Sequence, residues 1–83
     1  MKRTDYDKIK ALDRLNLRQR EFVFHYVCGV NGIRGNATKS YVAAGYEAKD
    51  PGVSAGGLKR RVASAIAEVK RRIVGVAERR QIL

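Results

Sequence analysis

The chain has 83 residues, enough for one small domain whose core gives only marginal stability. Its 18 basic and 8 acidic residues leave a formal charge of +10, which favours a polyanionic partner because neutralised phosphates release condensed counterions. The single cysteine, Cys28, excludes an internal disulfide and a zinc site built on paired cysteines, and no apolar run approaches the roughly 20 residues that span a bilayer. With no signal peptide, an intracellular protein is expected.

The N-terminal residues 1–14 mix charges of both signs around Ile9 and Leu12. They predict a short helix from about Asp5 to Arg14, a basic arm that becomes ordered only on DNA, or simply a frayed terminus. The sequence does not decide between these alternatives.

A stronger helix begins after Asn16, because Gln19 stands at the capping-box position. It ends at Gly29, which opens a glycine-rich loop. Apolar side chains recur on one face of this helix, at Phe22, Val23, Tyr26 and Val27. We interpret Phe22 and Tyr26 as core anchors, with base stacking as the alternative. His25 lacks a partner at metal-ligand spacing, so we expect it to be structural.

The stretch from Gly35 to Arg61 predicts two short helices in succession. The first runs from Ala37 to Ala44, with Asn36 as its N-cap and Gly45 as the left-handed residue that follows it. It offers Ala37, Tyr41 and Ala44 to the core.

The second helix begins at Asp50-Pro51, an N-cap acid followed by proline at the first helical position, and runs to about Arg60. Its three glycines weaken it, so we expect packing through Val53 and Leu58 to hold it in place. Two short helices, the second ending in positive charge, predict a helix-turn-helix that binds DNA. The predicted DNA contacts are Ser54, Lys59, Arg60 and Arg61, with Arg34 or Lys39 on flanking phosphates.

A heptad pattern of apolar residues marks the last helix, at Val62, Ile66, Val69, Ile73, Val76 and Leu83. The pattern predicts self-association through the distal residues Val69, Ile73, Val76 and Leu83, with packing of a single helix on the core as the alternative. The basic clusters at 70–72 and 79–80 are explained as well by a solvated flank of the helix as by a role in binding.

The chain shows no motif of an enzyme. It contains no phosphate-binding loop, no paired carboxylates, no Ser/His/Asp set and no metal cluster. We therefore expect no catalytic residues, no cofactor and no bound metal.

Several of these segments together resemble the small subunit of tailed-phage terminases. The resemblance begins with Leu-Asn-Leu-Arg-Gln at 15–19, followed by Phe22-Val23 and Tyr26. It continues with Gly-Asn-Ala-Thr at 35–38 and Ala-Ala-Gly-Tyr at 43–46. Leu58, Val62 and Ile66 stand where the family has further apolar residues, so roughly residues 15–66 are covered.

The resemblance implies a non-enzymatic packaging factor that acts in the host cell cytoplasm during virus assembly. Such proteins recognise the packaging-initiation site of the viral genome, form rings, and present double-stranded DNA to the terminase large subunit. The chain would then comprise an N-terminal arm or short helix (1–14), a helix-turn-helix domain (15–61) and the truncated start of an oligomerisation helix (62–83). A small transcriptional repressor and a helical protein-protein adaptor are the alternatives.

Overall fold

The computed structural model describes the backbone of residues 2–82 and the side chains of residues 2–73. The regular elements in this range are helical, which confirms the predicted all-α class. They are α1 (Arg3–Asp7), a 3-10 turn (Lys10–Leu12), α2 (Leu17–Cys28), α3 (Ala37–Ala43), α4 (Pro51–Arg61) and α5 (Ala63–Ile82).

The predicted starts of α2, α3 and α4 are confirmed by side-chain caps. Asn16 and Gln19 form the reciprocal capping box at α2. The side-chain oxygen of Asn36 accepts from the backbone N–H of Lys39 at 3.0 Å, and that of Asp50 accepts from Val53 at 3.3 Å. Each cap satisfies a first-turn N–H that has no partner within the helix, so the polar residue fixes where the helix begins.

The N-terminal segment forms a short helix rather than an arm. The helix α1 ends at Asp7, and the 3-10 turn takes the place of the helix expected as far as Arg14. Tyr6 and Leu12 are completely buried and Ile9 is nearly so. Their spacing of three residues places them on the same side of these tight turns, so this segment covers one end of the core.

The helix α2 supplies the centre of the core through Phe22, Val23, Tyr26 and Val27. The rings of Phe22 and Tyr26 are stacked with their centroids 6.0 Å apart. Phe22 has no exposed surface and Tyr26 is 9% exposed, which confirms both as core anchors.

The helices α3 and α4 lie against each other, joined by residues 44–50. Tyr41 and Ala44 are buried as expected and Ala37 packs against the core, while Gly45 has the left-handed φ of 91°. On α4 the core contacts come from Ala55 and the half-buried Leu58.

The expected packing of Val53 is wrong, because its side chain is 73% exposed. The inward face of α4 is marked instead by Ala55, which is fully buried, and Leu58. Val62, which directly follows α4 and is seven residues after Ala55, continues this side and is almost fully buried. Val53 lies two residues before Ala55 and therefore on a different side of the helix.

A single residue, Val62, separates α4 from α5. Its φ of −104° and ψ of 18° depart from helical values, and its side chain is 1% exposed. The first part of α5 packs on α2 and the 3-10 turn through Ala65, Ile66 and Val69.

Two of the residues predicted for self-association differ in how deeply they are buried in the chain's own core. Val69 is completely buried in the chain's own core, where a second copy could not reach it, while Ile73 is half-buried at the core's edge. Val76 and Leu83 lie outside the residues whose side chains are described. Self-association therefore stays a prediction, and Val69 serves the fold.

Candidate nucleic-acid interface

The basic end of α4 presents its cations in three directions. Lys59, Arg60 and Arg61 are all exposed. Successive residues of an α-helix are rotated by about 100° around its axis, so neighbouring side chains leave the helix on different sides. The cluster therefore supplies one cation to the outer face of α4 and one to each of its two flanks.

The outer face of α4 carries Val53 and Arg60, which are seven residues apart and thus lie on one side. This side is opposite to the buried Ala55 and Val62. Gly56 and Gly57 lie close to the same face, and a Cβ atom added to either would meet no heavy atom within 4 Å. No neighbouring part of the described chain therefore requires glycine at these positions.

One flank of α4 forms a groove against α3 and the chain that follows it. The groove has a volume of about 300 Å³ and is lined by Tyr41, Tyr46, Ser54, Gly57, Leu58 and Arg61. Ser54 and Arg61, both predicted as DNA contacts, come together here because they are seven residues apart. The rings of Tyr41 and Tyr46 form the opposite wall, with centroids 4.7 Å apart.

The other flank meets α2 and α5 at Tyr26. The Nζ atom of Lys59 lies 5.4 Å from the centroid of the Tyr26 ring, and that of Lys70 lies 5.7 Å from it. A second groove of about 350 Å³ begins beside this ring, lined by Tyr26, Val27, Arg34, Gly35, Lys70 and Ile73. The predicted contact Arg34 thus lies in the same region as Lys59, although they are 25 positions apart in the chain.

Sequence reasoning missed Lys70 as a member of this group. Its only signal was its place in the basic cluster at 70–72, which fits a solvated flank equally well. The contact with Tyr26 depends on how α5 crosses α2, and that crossing is not visible in the sequence. Lys39, in contrast, is exposed in the first turn of α3 and lines neither groove.

The basic residues among the predicted DNA contacts form no ion pair within the described part of the chain. Among residues 2–73, the ion pairs are formed by other basic residues, namely Arg3, Arg20, His25, Arg71 and Arg72. Arg34, Lys39, Lys59, Arg60 and Arg61 form none within this range. Positive charge around α4 is therefore not neutralised by the described part of the chain, and it can attract an anionic partner.

Two other chemically capable side chains have structural environments. His25 does have a carboxylate nearby, since its Nε2 lies 3.8 Å from Glu21, but no group of three metal-ligating side chains occurs in the described residues. Cys28 is half-buried, and burial raises the pKa of its thiol, which leaves less of the reactive thiolate.

None of the helices, as far as the structure describes them, is long and apolar enough to cross a membrane.

Comparison with protein-family models, with curated proteins and with solved structures finds no match to this chain.

Proposed function

We propose that this chain binds double-stranded DNA through a helix-turn-helix formed by α3 and α4, with α4 as the recognition helix. The observation that carries the proposal is the exposed group Lys59–Arg61, which has no acidic partner within residues 2–73 and stands at the end of a helix whose outer face is open. Phosphate contacts supply most of the affinity for DNA and also fix the orientation of the protein on the duplex. A helix with cations on its outer face and both flanks can contact phosphates on either side of a groove.

The local structure accounts for the motifs at the start and end of α3. Asn36 of the Gly-Asn-Ala-Thr segment caps α3, and Gly35 has a φ of 78°. Gly45 of the Ala-Ala-Gly-Tyr segment has a φ of 91° just after α3, and Tyr46 packs against the core. These positions favour glycine or a capping side chain for physical reasons. The two motifs thus define one compact helical unit.

From the resemblance of these motifs, we further propose that the chain is the DNA-binding part of a phage terminase small subunit. In this role it recognises the packaging-initiation site and presents the DNA to the large subunit, which holds the ATPase and nuclease. The protein itself performs no catalysis and assembles into a ring, with α5 contributing to the contacts between copies.

The DNA-binding proposal is tested with a charge-matched pair of triple variants. One variant is Lys59→Ala with Arg60→Ala and Arg61→Ala, and the control is Lys2→Ala with Lys8→Ala and Lys10→Ala. Both remove three positive charges, and all six positions are exposed. Affinity for a duplex is measured across a salt series.

We expect the α4 variant to lower the slope of log affinity against log salt by about 0.9 for each lost phosphate contact. The control should change it much less. Equal effects of the two variants would show that only net charge matters and would contradict the assignment of the DNA contacts to α4. A wild-type chain that binds no duplex at low salt would rule out DNA binding itself.

The terminase role has a test of its own. Wild-type affinity is compared between viral DNA around the packaging start and a random duplex of equal length. Any terminase large subunit encoded beside the gene is then tested for retention on this chain, immobilised on a matrix. A preference for an operator of a nearby promoter, without retention of the large subunit, would identify a repressor instead. Retention without any DNA affinity would identify an adaptor.

A further inference from the structure

We propose that Lys59 and Lys70, held on the ring of Tyr26, form a clamp for one phosphate of the DNA backbone. The clamp lies beside the helix-turn-helix and brings α5 into the contact with DNA. This inference rests on the proposed DNA-binding function and adds Lys70 as a residue that determines affinity.

The geometry brings two ammonium groups from different helices to one aromatic ring. Their Nζ atoms lie 5.4 Å and 5.7 Å from the ring centroid of Tyr26, within the range of a cation–π contact. An aromatic face attracts a cation without accepting its N–H donors in the way a carboxylate does. Each ammonium therefore keeps donors available for an oxygen ligand, while the ring limits where the side chain points.

The neighbouring cations of α5 are in a different state. The carboxylate of Glu68 binds Arg71 at 2.6 Å and Arg72 at 3.3 Å, whereas no acid of the described chain pairs with Lys70. Because Lys59 and Lys70 both bring an ammonium group to the ring of Tyr26, their like charges repel, and an anion shared by the two would relieve that repulsion. Three consecutive basic residues of α5 therefore divide into two that are paired and one that is not.

The surface next to the clamp suits a nucleic-acid backbone. Below Lys70, the groove of about 350 Å³ has an apolar floor that includes Val27 and Ile73, with Arg34 on its border. A deoxyribose is less polar than the phosphates on either side of it, and it could rest on this floor between two cations. Because Lys59 belongs to the same helix end as Arg60, one DNA strand can run from the outer face of α4 to this groove. This continuity favours DNA over an acidic peptide.

The test compares Lys70→Gln with Arg71→Gln. Both substitutions remove one positive charge from adjacent exposed positions of the same helix, but only Arg71 is paired with Glu68. Duplex affinity is measured across a salt series, and thermal unfolding confirms that each variant is folded.

We expect Lys70→Gln to weaken duplex binding and to lower the salt slope by less than the value of about 0.9 for one whole phosphate contact, because Lys59 still holds the phosphate. Arg71→Gln should leave both the affinity and the slope nearly unchanged. Because both lysines hold the same phosphate, the double variant Lys59→Gln with Lys70→Gln should lose less affinity than the two single losses multiplied together. Tyr26→Phe keeps the ring face and should bind DNA as the wild type does.

Equal effects of Lys70→Gln and Arg71→Gln would overturn the clamp while leaving DNA binding by α4 intact. Independent losses in the double variant would also overturn it, since they would mean two separate phosphates. A labelled poly-glutamate peptide serves as the probe for the other occupant. If Lys70→Gln abolishes peptide binding and leaves duplex affinity unchanged, the groove takes an acidic protein segment and the phosphate clamp is wrong.

Discussion

Arg3 and Arg20, beside α1 and α2, differ from the cations at the end of α4 in the partners that they contact. Near α1, Arg3 pairs with Asp7 and Glu21 and lies over the ring of Phe24, with its guanidinium carbon 4.2 Å from the ring centroid. Nearby, the Nε atom of Arg20 donates to the carbonyl oxygen of Leu12 at 3.0 Å. Around α4, in contrast, Lys59, Arg60 and Arg61 have no acidic partner among the described residues.

The difference separates cations that hold the fold from cations that are available to a ligand. The arginines near α1 have already replaced water with carboxylates, a carbonyl and a ring, so an external phosphate would have to displace these partners. The cations of α4 have no acidic partner among the described residues that a phosphate would have to displace, and Lys59 contacts only the ring face of Tyr26. Net charge alone would have counted both groups as DNA-binding surface.

The packed state of the N-terminal region is tested most strongly by Leu12→Ala. Leu12 is fully buried, so its truncation should lower the free energy of unfolding by about 2–5 kcal/mol. Chemical denaturation measures this loss, and Lys10→Ala is the control because Lys10 is exposed in the same turn. A loss below about 0.5 kcal/mol, as expected for surface positions, would mean that residues 3–12 are an arm after all.

The inward face of α4 is tested by Ala55→Leu. Ala55 has no exposed surface, and the extra atoms should cost about 1–3 kcal/mol of unfolding free energy by forcing the packed helices apart. Val53→Leu, a substitution on the exposed side of the same helix, is the matched control. If both variants are as stable as the wild type, α4 does not pack as described.

A pair of glycine substitutions tests whether backbone conformation, and not the space around the residue, decides the change in stability. A methyl group added at Gly45 or at Gly56 would meet no heavy atom within 4 Å, but only Gly45 has a positive φ, of 91°. Gly45→Ala should destabilise the fold by roughly 1–2 kcal/mol through left-handed strain. Gly56→Ala should stabilise it by about 0.5–1 kcal/mol through helix propensity. Melting curves measure both, and a destabilised Gly56→Ala variant would contradict the open outer face of α4.

The contrast between the two charged regions is tested by Arg3→Gln against Arg60→Gln. Arg3→Gln should cost about 0.5–1 kcal/mol of stability through the lost aromatic contact, with little change in the salt dependence of DNA binding. Arg60→Gln should leave stability within about 0.5 kcal/mol and lower the salt slope by about 0.9. Unfolding and duplex titration are measured on both proteins. Exchanged effects would reverse the assignment of the two regions.

Local signals in the sequence predicted much of the helical layout. Asn16, Asn36 and Asp50 act within one turn of the helices they cap, so their effect is readable from the chain alone. The periodic apolar face of α2 was equally clear, because a whole turn of large side chains can only be buried together.

Features that depend on the crossing of helices were harder to predict. Val53 was expected to pack because it is apolar, yet it is the small Ala55 that is fully buried in the core. Val69 fits the heptad pattern as well as an interface residue would, and only the position of α5 on α2 shows that it belongs to the core.

The candidate interface shows the same limit. The basic cluster at 59–61 could be read from the sequence, but not that Lys59 meets Tyr26 while Arg61 lines the groove beside α3. The spacing of Arg71 and Arg72 from Glu68 suits ion pairs within the helix, but the contact of Lys70 with Tyr26 depends on how α5 crosses α2 and could not be read from the sequence.

The one-residue junction at Val62 makes α4 and α5 mechanically dependent on each other. Because the side chain of Val62 is buried, a hinge motion there would expose it to water or open the core beneath it. A change in the direction of α5 therefore favours a matching change in the direction of α4. If DNA holds α4 at one angle, it also biases α5, and by thermodynamic reciprocity anything that fixes α5 changes the affinity of α4 for DNA by the same factor.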